Sequence, residues 1–493
     1  MRMHALRVTA LLVGAAFAQQ AFASGYHFGT QSVSAQGTAN ASGAAAEDAS
    51  TVFYNPAGLS NLKGTTVSGV LNIVIPSGDY TDKGSYTAAG PAFKTGGNNG
   101  GEFVKTTAVP HAYFSHQLND QLTLGFGTFV PFGSKTQYDE NWAGRYNIIK
   151  TELKTIALNP SFSFKLNDTV SLGGGLTAQF IEGRLVKGAD FGTAIAQGVL
   201  NSASFAALPA GTQAALRPQL LAMIGNPTYS GKVDIKGDDW GFGWNLGVMF
   251  NLNENNRIGL AYRSKIRHEL SGEADWTLSN GFASNTSLIA LGQAALVNPG
   301  LQARGYVDGP ANLGVDTPES LSLSSFHQLS DKFALMADVT RTRHSRFEAL
   351  TVNFTTGLPP SNTPEKWEDT TKVSVGGSYQ FSDALKLRAG LAFDESPVED
   401  ANRTPSIPDS NRKWLSLGAN WAMSKDSSVD VAYSFVKVGK PAINNYDNGG
   451  LAPVAGQPRG ACDSTRNTSS CATIVGEYDV YSHIVGVQYN QRF

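Results

Sequence analysis

The chain has 493 residues, of which 16% are charged, and a formal net charge of -2. Its Lys and Arg are not concentrated into the basic face that a nucleic-acid partner requires. Beyond the first residues, no apolar run approaches the roughly 18 residues of a transmembrane helix. The 53 glycines, 26 phenylalanines and 16 tyrosines suit many half-buried strands joined by tight turns.

Residues 1–23 read as an export signal, with Arg2 and Arg7 ahead of the apolar run Val8 to Ala18 and a small-residue cleavage site at Ala21-Phe22-Ala23. Its loss puts the mature start near Ser24 and, with two arginines gone, takes the formal charge from -2 to -4. The next segment, 24–64, is rich in small residues and ends in Glu47-Asp48-Ala49-Ser50-Thr51-Val52-Phe53-Tyr54-Asn55-Pro56-Ala57-Gly58-Leu59. It is too short and too poor in large apolar side chains to fold alone. The rest of the chain, 65–493, must house it, and a peptide housed in a barrel is a plug. Asn55-Pro56 predicts a rigid bend just before the first strand.

Period-two alternation predicts strands near 65–77, 105–117, 120–132, 146–166, 169–187, 234–252, 255–275, 317–329, 332–348, 367–382, 384–397, 411–424, 427–440 and 476–493. The expected fold is all-β: a transmembrane antiparallel barrel of about 14 strands, an even number that returns both ends to the periplasm. From 240 to 252, Trp240, Phe242, Trp244, Leu246, Val248, Phe250 and Leu252 share one face, opposite Gly241, Gly243, Asn245, Gly247, Met249 and Asn251. In the next strand Ile258, Leu260, Tyr262, Ile266 and Leu270 stand opposite Arg263, Lys265, Arg267 and Glu269, which predicts the charged set facing a solvated lumen. The last strand alternates likewise and ends on Phe493.

Short polar turns such as Asn167-Asp168 predict the periplasmic side, and the long connections the outside. The two longest, 188–233 and 276–316, carry Leu/Ala-rich helical pieces that suit either a cap on the barrel or a greasy landing site for a lipid. At Val130-Pro131-Phe132-Gly133 a missing ladder donor and a glycine predict either broken pairing or an ordinary strand end. Cys462 and Cys471 predict a local disulfide in an exported chain. There is no hydrolase elbow, P-loop or zinc-binding helix, so no enzyme, metal or cofactor is expected, and His111 and His116 read as girdle or lumen residues.

Several spaced motifs carry a resemblance: Glu47 to Ser50 with Asn55-Pro56-Ala57, Trp240 to Trp244 through Asn255-Asn256-Arg257 to Tyr262-Arg263-Ser264, Phe393 to Val398, Ser406 to Asp409 and Trp414 to Gly418. On these the chain resembles the outer-membrane long-chain fatty-acid transporters of the FadL type, a family that includes hydrocarbon-uptake channels. The resemblance implies a fourteen-stranded barrel whose N-terminal hatch, 24–64, plugs the lumen through Glu47, Asp48, Asn55, Pro56 and Ala57. It implies a hydrophobic small molecule as ligand and outer-membrane lipid around a monomer. A plug this small, without a separate signalling segment, points to passive uptake, and the resemblance implies that ligand shifts the hatch and leaves through a lateral gap at Pro131, Phe132 and Gly133. Tyr26 takes the place of an aromatic that reaches into the ligand pocket, and Lys187 that of a carboxylate partner. The family's second basic contact falls near Thr363, which cannot supply it, with Lys366 as a stand-in. That departure leaves aromatic or alkane hydrocarbons as an alternative substrate class. An outer-membrane lipid hydrolase or a structural adhesin is the alternative of another kind.

Overall fold

The structure is a computed structural model that describes residues 25–451, 462 and 466–493. The expected export signal, 1–23, lies outside the described residues.

The first half of the wall contains β1 (Thr65–Asp82), β2 (Thr107–Gln117), β3 (Leu122–Phe129), β4 (Gly133–Gln137), β5 (Lys150–Lys165), β6 (Val170–Ala189) and β7 (Gly231–Asn253). It continues with β8 (Asn256–Arg263), β9 (Ile266–Thr277), β10 (Gly309–Thr317), β11 (Ser320–Gln328), β12 (Phe333–Thr342), β13 (Ala349–Phe354) and β14 (Ser361–Pro364). The last are β15 (Thr370–Ser382), β16 (Leu385–Asp394), β17 (Arg412–Ala422), β18 (Ser427–Val438), β19 (Ala442–Tyr446) and β20 (Thr473–Arg492). Several are successive pieces of one interrupted strand, as β3 with β4 and β8 with β9, so the wall is a closed antiparallel barrel of fourteen strands. Closure is made by β1 against β20, from Thr66 opposite Arg492 to Asp82 opposite Gly476. A closed sheet leaves no unpaired edge in hydrocarbon, which is why alternating strands can span a bilayer at all.

Alternation sets the two faces. On β7, Phe242 is 76% exposed on the outside while Asn245 and Met249 are buried on the inside. The strand prediction for 255–275 needs correction. Outward alternation holds through Tyr262, but Ile266, His268 and Leu270 are buried inside, and Lys265, Arg267 and Glu269 lie outside. The cause is a one-residue register shift: β7 pairs with β8 as Asn245 with Arg263, but with β9 as Asp238 with Ser271. One extra residue reverses every side chain beyond it. β10 also differs from expectation, because it lies in a stretch read as loop and pairs with β9 along its whole length.

Connections at the long-loop end build their own structure. Helices Phe191–Leu200, Ala203–Ala206, Ala210–Leu221, Thr286–Ala290 and Val297–Ala303, with the turns between them, pool Phe191, Phe205, Met223, Phe282, Leu288 and Leu301 into a buried cluster. Cys462 and Cys471 are joined by a disulfide.

Residues 25–64 pack against the inner face of this wall. Their helical turns are short, Val33–Gln36 and Thr51–Tyr54, followed by a 3-10 turn over Pro56–Asn61. Small wall residues let the segment approach closely: a Cβ added to Gly173 would sit 2.2 Å from the Ala57 nitrogen, and one on Gly390 would sit 2.2 Å from the Thr38 carbonyl carbon.

Candidate functional site: two cavities divided by the N-terminal residues

The N-terminal segment is held by side chains that bond backbone. Asn55 Nδ2 donates to the carbonyls of Val248 (3.1 Å) and Leu260 (3.4 Å), while its Oδ1 accepts from Ala57 N at 3.0 Å. Glu47 lies 3.0 Å from Lys386 Nζ and 2.8 Å from Arg388, whose guanidinium also binds Asp430. Although burial opposes it, the two cations hold the Glu47 carboxyl well below the usual range. Asp48 accepts from Ser34 Oγ at 2.6 Å and Gln488 Nε2 at 2.9 Å.

The start of the segment also patches the wall. β3 ends at Phe129 and β4 begins at Gly133, and β4 pairs only with β5. Pairing of β2 with β3 stops at Ala112 opposite Thr128, so residues 107–111 have no ladder partner on that side. Phe28 N donates to Pro131 O (2.8 Å), and Gly133 N donates to Tyr26 O (2.7 Å). Thr155 Oγ1 serves Phe132 on both sides, accepting from its N–H at 3.0 Å and donating to its carbonyl at 2.7 Å. Backbone groups freed by the break are thus satisfied by the N-terminal residues and by the Thr155 side chain of β5 rather than by ladder pairing with β2.

Two cavities meet at these residues. The upper one holds about 840 Å³ of empty space and is lined mainly by apolar side chains, among them Leu153, Leu185, Leu270, Leu313, Phe347 and Ile407. Tyr26 enters it, packed against Trp367 (5.1 Å between ring centres), Phe132 (5.7 Å) and Phe347 (5.8 Å), with its hydroxyl donating to Asp316 O at 3.1 Å. Glu365 lines it too, 3% exposed, accepting from Trp367 Nε1 and Thr404 Oγ1 at 3.2 Å each. Burial pushes its carboxyl up to about 8, more than those two bonds lower it. The lower cavity, about 990 Å³, is more polar than the upper, and His27, Phe53, Arg263, Asp338, Lys372 and Asp394 are on its wall. Burial brings His27 down to about 4, against the pull of Asp394.

A closed barrel with an inward-packed N-terminus and an apolar chamber has clear counterparts. The family model described as outer membrane protein transport protein (OMPP1/FadL/TodX) matches residues 14–493. The chain belongs to this family. A putative outer membrane protein of Neisseria meningitidis serogroup B is 39% identical over 99% of both chains. The long-chain fatty acid transport protein of Escherichia coli K12 is 30% identical, over 86% of this chain and 90% of its own. Among solved structures, a Pseudomonas aeruginosa FadL homologue superposes with a TM-score of 0.76 at 25% identity, covering 95% of this chain and all of that one. The Ralstonia pickettii toluene transporter TbuX shares the fold, with a TM-score of 0.55 at 18% identity over 90% of this chain and 94% of its own. The protein is an outer-membrane transporter of hydrophobic molecules.

In this FadL-family chain the residues singled out from sequence do not all converge. Tyr26 is in the upper cavity and Pro131–Gly133 adjoin it through Phe132. Lys187 is elsewhere: its ammonium is buried 2.7 Å from Asp447 Oδ2, a carboxylate that also accepts from Ser470 N and Oγ. That pair ties the disulfide-bearing loop to β6. Lys366, at φ +45°, opens on a separate groove beside Glu368 and Asp369. Neither lysine is on the wall of the upper cavity, whose ionisable lining groups are Tyr26, Glu365, Glu152, Arg184 and Lys236. The last three are paired, Glu152 with Lys150 and Lys154, Arg184 with Asp234 and Lys236 with Glu182. Glu365 went unnoticed because a buried acid next to Lys366 reads like any rim acid. Arg263 read as one lumen charge among several, and Lys372 carried no sequence signal of its own.

Proposed function

We propose that this transporter takes up long-chain fatty acids or similar hydrophobic molecules by passive diffusion, with 24–64 as its hatch and the break at Pro131–Gly133 as a lateral exit. One observation carries the reading: Tyr26 occupies the apolar cavity with its ring and patches the wall break with its backbone. A ligand that displaces the ring therefore draws the Tyr26 carbonyl away from Gly133 N. Binding energy and opening are linked through one residue, as a ligand-driven population shift requires. The relatives named for fatty-acid transport support the substrate class. The cavity lining supports a second reading, uncharged hydrocarbons, because it is mainly apolar and its two cations, Arg184 and Lys236, already lie against Asp234 and Glu182.

The test is uptake of labelled oleate and toluene in a host lacking its own fatty-acid transporter. Entry of either faster than in the empty host is expected, and slowed by Tyr26→Ala. Equal entry in both hosts overturns the transport reading for these substrates.

A further inference from the structure

Arg263 ends β8 on the inner face, and its surroundings differ from those of Arg388 and Arg412. Arg388 and Arg412 each have a carboxylate at hand, Asp430 and Asp409. Arg263 has none within 4 Å among the described residues. Its guanidinium lies over the rings of Phe53 (4.6 Å) and Phe129 (5.3 Å), and Nη2 donates to Phe53 O at 2.9 Å. Those contacts use one N–H and the faces, leaving most of its five donors to the lower cavity it lines. Lys372 faces the same space, its ammonium 4.5 Å above the Trp414 ring and without a carboxylate within 4 Å among the described residues. Both acids on this wall have other business: Asp338 accepts from Gly43 N at 2.9 Å, and Asp394 stands 3.9 Å from Arg412. A desolvated cation held by ring faces is less well satisfied than one held by an anion.

The cavities abut across two consecutive residues, since Tyr26 lines the upper one and His27 the lower. We propose that Arg263, with Lys372 beside the same cavity, receives the anionic head group of an amphiphile whose tail lies in the upper cavity. The ligand class is a long-chain carboxylate. This deepens the uptake reading and rests on it. It also gives the head group a lever, because Arg263 touches Phe53 of the hatch segment and Phe129, the last residue before the break.

The experiment compares oleate with oleyl alcohol, which share a tail and differ in charge, binding to purified protein. Wild type is expected to prefer oleate by at least about tenfold, the scale of one charge-assisted hydrogen bond. Arg263→Gln and Lys372→Met are expected to bring that ratio toward one while alcohol binding stays within about twofold. Folding is checked by the mobility shift of unheated protein in SDS gels, and Lys372→Met serves if Arg263→Gln does not fold. An undiminished oleate preference in the variants overturns the proposal, as does its loss in Lys187→Gln alone. Equal binding of both ligands by wild type overturns the head-group site but leaves the uptake reading. Binding of neither overturns both.

Discussion

Replacing Gly390 or Gly173 by Ala should unseat the N-terminal segment without opening the barrel. The new Cβ on Gly390 would lie 2.2 Å from the Thr38 carbonyl carbon and 2.4 Å from its oxygen, and on Gly173 2.4 Å from the Pro56 carbonyl carbon. Ordinary carbon contacts are about 3.5–4.0 Å, so backbone must retreat by more than ~1 Å. The wall does not yield first, because Gly390 is paired on both sides, with Gly376 and Ser416. Overpacking of this kind costs about 1–3 kcal/mol per site, enough to shift a sealed segment toward unsealed states. Ion conductance in planar bilayers reads the result. The double variant should conduct more than wild type, whereas Gly198→Ala, whose Cβ would meet nothing within 4 Å, should match it. Wild-type conductance in a folded double variant would refute the claim that this segment seals the lumen.

Other perturbations follow from single contacts. Lys187→Met strands Asp447 in a site where both side chains are under 10% exposed, so the loop around the disulfide should loosen by about 3–5 kcal/mol and be cut faster by protease. Asn55→Ala removes two donated bonds and one accepted bond, which should weaken anchoring by about 1–3 kcal/mol and raise conductance, though less than the glycine pair. Glu365 gives a pH signature. Its folded carboxyl titrates near 8 against an ordinary 4.5, so the folded protein keeps a proton that the unfolded chain releases. Stability therefore falls as pH rises from 4.5 toward 8, and Glu365→Gln should flatten that slope in the temperature at which the folded SDS-gel band is lost.

The wall was legible because its physics is local. A strand such as 240–252 must put apolar side chains toward lipid at every second position, and the sequence does so without interruption. At 130–133 Pro131 and Gly133 act on their own backbone, so a disturbance of the ladder was legible, but an ordinary strand end was an equally open reading of the same residues. The phase change after Arg263 was not, because Ile266 and Leu270 continue the even-numbered apolar series and only the neighbouring strand reveals the added residue. β10 hid behind a Gly-Pro start and an unalternating Asn-Leu-Gly. Lys187 could not be placed from sequence because its partner, Asp447, is 260 residues away. Glu365 and Arg263 were missed for a related reason: a charge becomes a site only through the absence or presence of a partner in space.

The central claim is that hydrophobic substrate occupies the apolar cavity entered by Tyr26. A fatty acid carrying a diazirine in its tail, photolysed on the protein in outer-membrane vesicles and mapped by mass spectrometry, tests it most directly. Labelling at Leu153, Leu270 and Phe347 that unlabelled oleate suppresses is the predicted result. Labelling confined to lipid-facing residues such as Phe242 and Leu246, and unaffected by oleate, would contradict it.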